Sequence, residues 1–179
     1  LQFHPAVNKL KELVDAGELG TSRYIYSNRL NIGKLRTEEN VLWSFAPHDI
    51  SLILMLLDEE APEFVDAHGG IYVKPGIYDT TMTTFQFESG IKGHIFVSWL
   101  HPFKEQKLVV VGENKMAVFD DVSKEKILIY PHTIDFINGD IPVARKAESY
   151  KVDFEPAEPL KEELLHFIHC INTRQTPKT

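Results

Sequence analysis

The chain has 179 residues, 43% hydrophobic and 25% charged, which fits one globular domain able to bury a core; no apolar run nears the ~18 residues of a membrane span. Its 26 acidic and 19 basic residues give a net charge of −7, which repels a phosphate backbone and argues against a nucleic-acid partner unless a basic patch gathers locally. The single cysteine, Cys170, permits no internal disulfide and suits a reducing, cytoplasmic setting.

The chain opens at Leu1 and its first methionine is Met55, so a piece of a longer protein is expected; no signal peptide is visible in it. His4-Pro5 starts a first helix, with Val7, Leu10 and Val14 at helical spacing and Gly17 and Gly20 ending it. Residues 22–32 read as a strand that stops at Gly33, and residues 34–40 as a charged loop. Pro47 is expected to open a second helix whose body, residues 50–57, is apolar nearly all round and therefore buried on several sides.

Beyond Pro62 the pattern predicts strands at 64–73, 80–87, 91–100, 107–111, 116–119 and 127–130, joined by short turns such as Ser89-Gly90 and Gly112-Glu113-Asn114, as an antiparallel meander. A last helix over 159–172 puts Leu160, Leu164, Phe167, Ile168 and Ile171 on one side, facing the sheet or a missing neighbour. The fold class is α+β: a large, mainly antiparallel open sheet with helices on one face. Thr80, Thr84, Gln86, Lys92, His94 and Ser98 are expected on the other, facing water or a wet subunit interface.

Chemistry concentrates in residues 27–51. Arg29, Lys34 and Arg36 form a basic cluster in an acidic chain, and Asn28, Asn31 and Asn40 supply amides that both donate and accept, as sugar hydroxyls require; a solvated loop would show the same composition. His48 is expected in the first turn of the buried helix, where the dipole disfavours imidazolium and leaves a neutral base for a sugar hydroxyl, though Asp49 pushes the other way. The bland alternative is a helix-start residue satisfied by backbone contacts. His101 and Lys104 end a strand and point into a cleft or form a surface patch. His166 and His169 lie three apart, but nothing completes a zinc pattern, so no metal ligands are assigned. The chain has no G-x-G-x-x-G and no P-loop.

Four runs, SNRLNIGKLR at 27–36, EENVLWSFAPHDIS at 38–51, SWLHPFKEQKLVVVG at 98–112 and LLHFIHCI at 164–171, together resemble the C-terminal domain of the Gfo/Idh/MocA oxidoreductase family. Within it the chain looks most like the branch of nucleotide-sugar 3-dehydrogenases acting on UDP-N-acetylglucosamine or its uronic acid. The resemblance implies that residues 1–179 are a substrate-binding and oligomerisation domain, with an N-terminal Rossmann domain and a final helix missing. That Rossmann domain would carry the glycine-rich turn for NAD or NADP and a Glu-Lys-Pro lysine, leaving no cofactor-binding residues in this fragment, which alone would be inactive.

By position, the family's proton-shuttling histidine is His48. The common pattern has an aspartate four residues before that histidine and often another three after it; this chain has Ser44 and Ser51 there, which reduces the usual lysine, aspartate and histidine set to lysine and histidine. The resemblance also implies homodimers or homotetramers through the open sheet. On this reading Arg29, Lys34 and Arg36 face a nucleotide sugar's negative groups, Asn28 and Asn31 bond its hydroxyls, and His101 adds to the substrate wall. Two rivals stay open: a non-catalytic, sheet-mediated oligomerisation module, and a metal-dependent sugar isomerase using the eight histidines.

Overall fold

The computed structural model describes residues 1–59 and 61–178. Helix α1 (Pro5–Asp15) starts at His4, whose Nδ1 accepts from the Ala6 N–H at 3.1 Å, and buries Ala6, Val7 and Leu10. It leads to β1 (Ser22–Leu30) and then, through a loop, to α2 (Val41–Leu57). Six strands follow: β2 (Phe64–Gly70), β3 (Thr80–Gln86), β4 (Lys92–Ser98), β5 (Glu105–Gly112), β6 (Met116–Asp120) and β7 (Ile127–Tyr130). Last come β8 (Thr133–Ile137), β9 (Ile141–Arg145), β10 (Tyr150–Lys151) and α3 (Pro159–Thr173).

Eight strands form one open sheet in the order β10-β7-β6-β5-β1-β4-β3-β2, while β8 and β9 pair separately. The sheet is not the simple meander that the strand pattern suggests. Strand β1 inserts between β4 and β5, parallel to the first and antiparallel to the second, so the chain passes through α2, β2 and β3 before β4 lies beside it. Period-2 alternation finds strands but is blind to which strand slots between two others. The insertion is tight at Gly93, where a Cβ would come within 2.6 Å of the Ile25 carbonyl oxygen, so no side chain fits.

Both N-terminal helices cover one sheet face, α2 lying on β1, β3 and β4 and α1 reaching β6. Ile25, Leu52, Ile53, Leu56, Ile95, Trp99 and Leu108 form the core between the layers. The opposite face stands in cross-strand rows, one of which runs Asp66, Thr84, His94, Tyr26, Val109, Val118, Leu128. Ser98, expected there in water, is buried, and its Oγ accepts from the Leu100 N–H at 3.0 Å.

Two expectations change. Helix α2 begins six residues before Pro47, because Asn40 caps it, its side chain accepting from the Trp43 N–H at 2.9 Å; Pro47 lies inside the helix. Residues 133–145, read from sequence as having no element, form a hairpin turned at Asn138 and Gly139, both at positive φ. Of the two alternatives for the apolar stripe of α3, packing on the sheet is not seen: Leu160, Leu164, Phe167, Ile168 and Ile171 are each more than half exposed, and Cys170 is the residue buried. Among the described residues no helix is long and apolar enough to cross a membrane.

Candidate functional site

Helix α2 gives two sequence neighbours different surroundings. Successive helical residues are about 100° apart, so with Asp49 pointing at the sheet His48 stands on the flank of the helix. Asp49 is 2% exposed, and His48 lies at the surface. Because the helix starts at Val41, His48 sits in its second turn, where the helix-end dipole has faded. Its imidazole is nevertheless held below its ordinary value, first by loss of hydration against the protein and second by the positive charge of Arg29, with Asp49 opposing. Burial and Arg29, rather than the helix dipole invoked from sequence, are what disfavour its protonation here.

Asp49 and Arg29 form a buried ion pair: Nε of Arg29 donates to Oδ2 at 2.7 Å and Nη2 to Oδ1 at 3.3 Å. Ser27 Oγ lies 2.6 Å from Oδ1 and 3.0 Å from the Lys107 carbonyl, and its one proton goes to the nearer, charged acceptor. The Gln106 amide is assigned the orientation in which its oxygen accepts from Arg29 Nη1 at 3.0 Å and its nitrogen donates to Asp121 at 3.2 Å. Arg29, expected to face a ligand's negative groups with Lys34 and Arg36, instead turns inward at 7% exposure, neutralised by Asp49. The strand's alternation puts Ser27 and Arg29 on the helix-covered face, so a guanidinium there must be paired.

Lys34 and Arg36 lie together in a hollow of about 550 Å³ with Leu35, Thr37, Glu38, Glu39 and Trp43, the last 73% exposed. Arg36 Nε is 3.6 Å from Glu39, and Lys74 steadies the loop by donating to the Thr37 carbonyl at 3.1 Å. Asn28 is on the uncovered sheet face, where its Nδ2 donates to Glu105 at 2.7 Å, so the sheet separates it from His48. Asn31 lies past the strand end, half-buried, its N–H donating to the Ser98 carbonyl at 3.1 Å. His101, in the β4–β5 connection, donates from Nδ1 to the Phe103 carbonyl at 2.9 Å, and its Nε2 has no partner among the described residues.

The residues that sequence reasoning passed over are Asp49's partner Ser27, Arg29's partner Gln106, and Trp43 beside the basic loop. Ser27 and Gln106 looked like ordinary strand polars; the inward parity shared by Ser27 and Arg29 on a buried strand was the available signal. On α3, His166 Nε2 accepts from the Lys178 N–H at 2.9 Å and is 3.5 Å from Cys170 Sγ. Among the described residues no three His, Cys, Asp or Glu side chains gather as a metal site.

Comparison with known proteins follows the same lines. The family model of the GFO/IDH/MocA C-terminal domain matches residues 7–118, and the chain belongs to that family. It is 29% identical over 190 residues to the oxidoreductase YrbE of Bacillus subtilis, itself uncharacterized, covering 99% of this chain and 53% of that protein. It superposes on UDP-N-acetylglucosamine 3-dehydrogenase GnnA from Acidithiobacillus ferrooxidans with a TM-score of 0.77 at 24% identity, over 98% of this chain and 53% of GnnA. For an inositol dehydrogenase homolog from Azotobacter vinelandii, complexed with NADH and myo-inositol, the TM-score is 0.65 at 18% identity, over 81% of this chain and 40% of that one. Likeness at these identities shows the fold, and the chain spans about half the length of the first two relatives.

Proposed function

We propose, proceeding from membership of the GFO/IDH/MocA family, that this chain is the substrate-side domain of a nicotinamide-dependent oxidoreductase. The parent enzyme oxidises a hydroxyl, at C3, of a nucleotide-linked N-acetylhexosamine or its uronic acid. The observation that carries the reading is the place of His48: an exposed imidazole on α2, backed by the buried Arg29–Asp49 pair, with burial and Arg29 lowering its affinity for a proton. When a carbinol becomes a ketone, the carbon loses hydride and the oxygen loses a proton. His48 takes that proton, which is the duty of a neutral base. Lys34 and Arg36, in the loop hollow, are offered to the negative groups of the nucleotide; His101 and Asn31, which do not line that hollow, are kept as further substrate contacts on the family resemblance alone.

NAD or NADP, when bound, supplies the hydride acceptor. This chain's own residues do not build its cradle: β1 passes into α2 through residues 31–40, which hold Gly33 as their one glycine and lack the closely spaced glycines that let a backbone approach a diphosphate. The cofactor is therefore assigned to the part of the parent protein outside residues 1–179, as the relatives' greater length supports. Homo-oligomerisation through the uncovered sheet face, in a cytoplasmic enzyme, belongs to the same proposal.

The test joins this chain to its own upstream sequence and screens nucleotide sugars for nicotinamide reduction. His48→Asn is expected to lower kcat by about 10²- to 10⁴-fold. A second reading, a non-catalytic oligomerisation module, is favoured by the face carrying Tyr26, His94, Phe96, Val109, Val118 and Leu128, on which no helix among the described residues packs closely. Full turnover by His48→Asn in the joined protein would decide for that reading.

A further inference from the structure

The most heavily buried polar cluster of this domain is the one behind His48. Asp49, Arg29 and Ser27 are each more than nine-tenths buried and bonded to one another. The cluster stands two residues after Pro47, which has no N–H to give the Trp43 carbonyl, and interior prolines are where helices bend. Helix α2 is thus weakest where His48 must be aimed, and there Asp49 ties it to the central strand through Arg29 and Ser27.

We infer that Asp49 and Arg29 are positioning residues for the proton transfer: their buried pair fixes the roll of α2, aims the His48 imidazole, and sets the charges beside which it works. The inference rests on the reading of His48 as proton carrier. Its two members act on the ring with opposite sign, the guanidinium from β1 disfavouring imidazolium and the carboxylate on α2 favouring it. A purely structural ion pair has no reason to leave opposite marks on a pH profile when one side or the other is removed.

The experiment uses the joined protein and the variants Ser27→Ala, Arg29→Lys, Arg29→Gln and Asp49→Asn. Arg29→Gln and Asp49→Asn are expected to lower kcat about tenfold or more with KM changed less than about threefold. The acid limb of kcat/KM against pH should move up in Arg29→Gln and down in Asp49→Asn. Arg29→Lys should hold the limb in place but not restore kcat, since one ammonium cannot make the two-bond fork. Unchanged kcat and limb in all four, with only lower melting temperatures, would overturn the inference. If the charge-removing variants do not fold, Ser27→Ala and Arg29→Lys still decide it, because wild-type kcat in both would overturn it. His48→Asn with full turnover would instead overturn the reading of His48 itself.

Discussion

Removing the Arg29–Asp49 pair from one side should cost far more than removing it from both. The two side chains are 9% and 4% exposed, so neither charge has water to fall back on. In Asp49→Leu the guanidinium keeps only the Gln106 oxygen, and in Arg29→Met the carboxylate keeps only Ser27. A buried charge stranded in this way costs about 3–5 kcal/mol. The double variant Arg29→Met/Asp49→Leu strands no charge: Ser27 can turn its proton to the Lys107 carbonyl, the partly exposed Gln106 loses one neutral bond, and replacing a buried pair by apolar groups of similar size is worth about zero. For a chain of this length, a shift of about 2–4 °C per kcal/mol puts each single variant roughly 6–20 °C below wild type, with the double close to wild type. The assay is a double-mutant cycle by urea denaturation, with equal m-values checked first. If the two single losses simply add in the double variant, the pair is not the buried, mutually dependent unit described here.

Further outcomes follow from other residues. Thr83 Oγ1 is buried without a partner, so Thr83→Val removes an unsatisfied hydroxyl and should raise stability by about 1 kcal/mol, read as a higher urea midpoint. Asn40→Ala deletes the cap of α2 and should cost about 1 kcal/mol on the same assay. His4, His48 and His94 are all held below the ordinary imidazole value of 6.5, burial being the first cause in each. The unfolded chain then binds protons first, so stability is full above pH 6.5 and is lost as pH falls through it toward the lower folded values. Melting temperature should therefore drop from pH 7.5 to about 5.5, and His94→Gln should shallow that drop. An equal drop in the variant would remove His94 from the account.

The strands of the main sheet were legible because each buries one face and so alternates: β3 and β4 carry Phe85, Ile95 and Val97 inward and Thr84 and His94 outward. The hairpin of β8 and β9 was not, because it buries neither face; its ten residues are exposed or nearly so, and only the Asn138-Gly139 turn marked it. The start of α2 was misplaced by trusting Pro47 as a first-turn residue over Asn40 as a cap, although the capping side chain is the stronger start signal when apolar residues follow it at once. The consequence was chemical as well as structural, since it moved His48 out of the helix dipole.

The basic cluster read from Arg29, Lys34 and Arg36 shows why a candidate site is less legible than a sheet. Sequence distance along a strand says which face a residue takes only once the strand's parity is known, and Arg29 shares its parity with the buried Ile25 and Ser27. Its countercharge, Asp49, is twenty residues away on another element, so no local pattern shows the two cancelling. Once they cancel, the positive charge left for a ligand is that of Lys34 and Arg36, and Arg36 already lies near Glu39. The weight of any anion recognition therefore falls on Lys34. Lys34→Ala should weaken binding of a nucleotide sugar and flatten its salt dependence, while Arg36→Ala should do less. Equal losses in the two would mean that the Glu39 contact does not hold in solution, and would return Arg36 to the ligand.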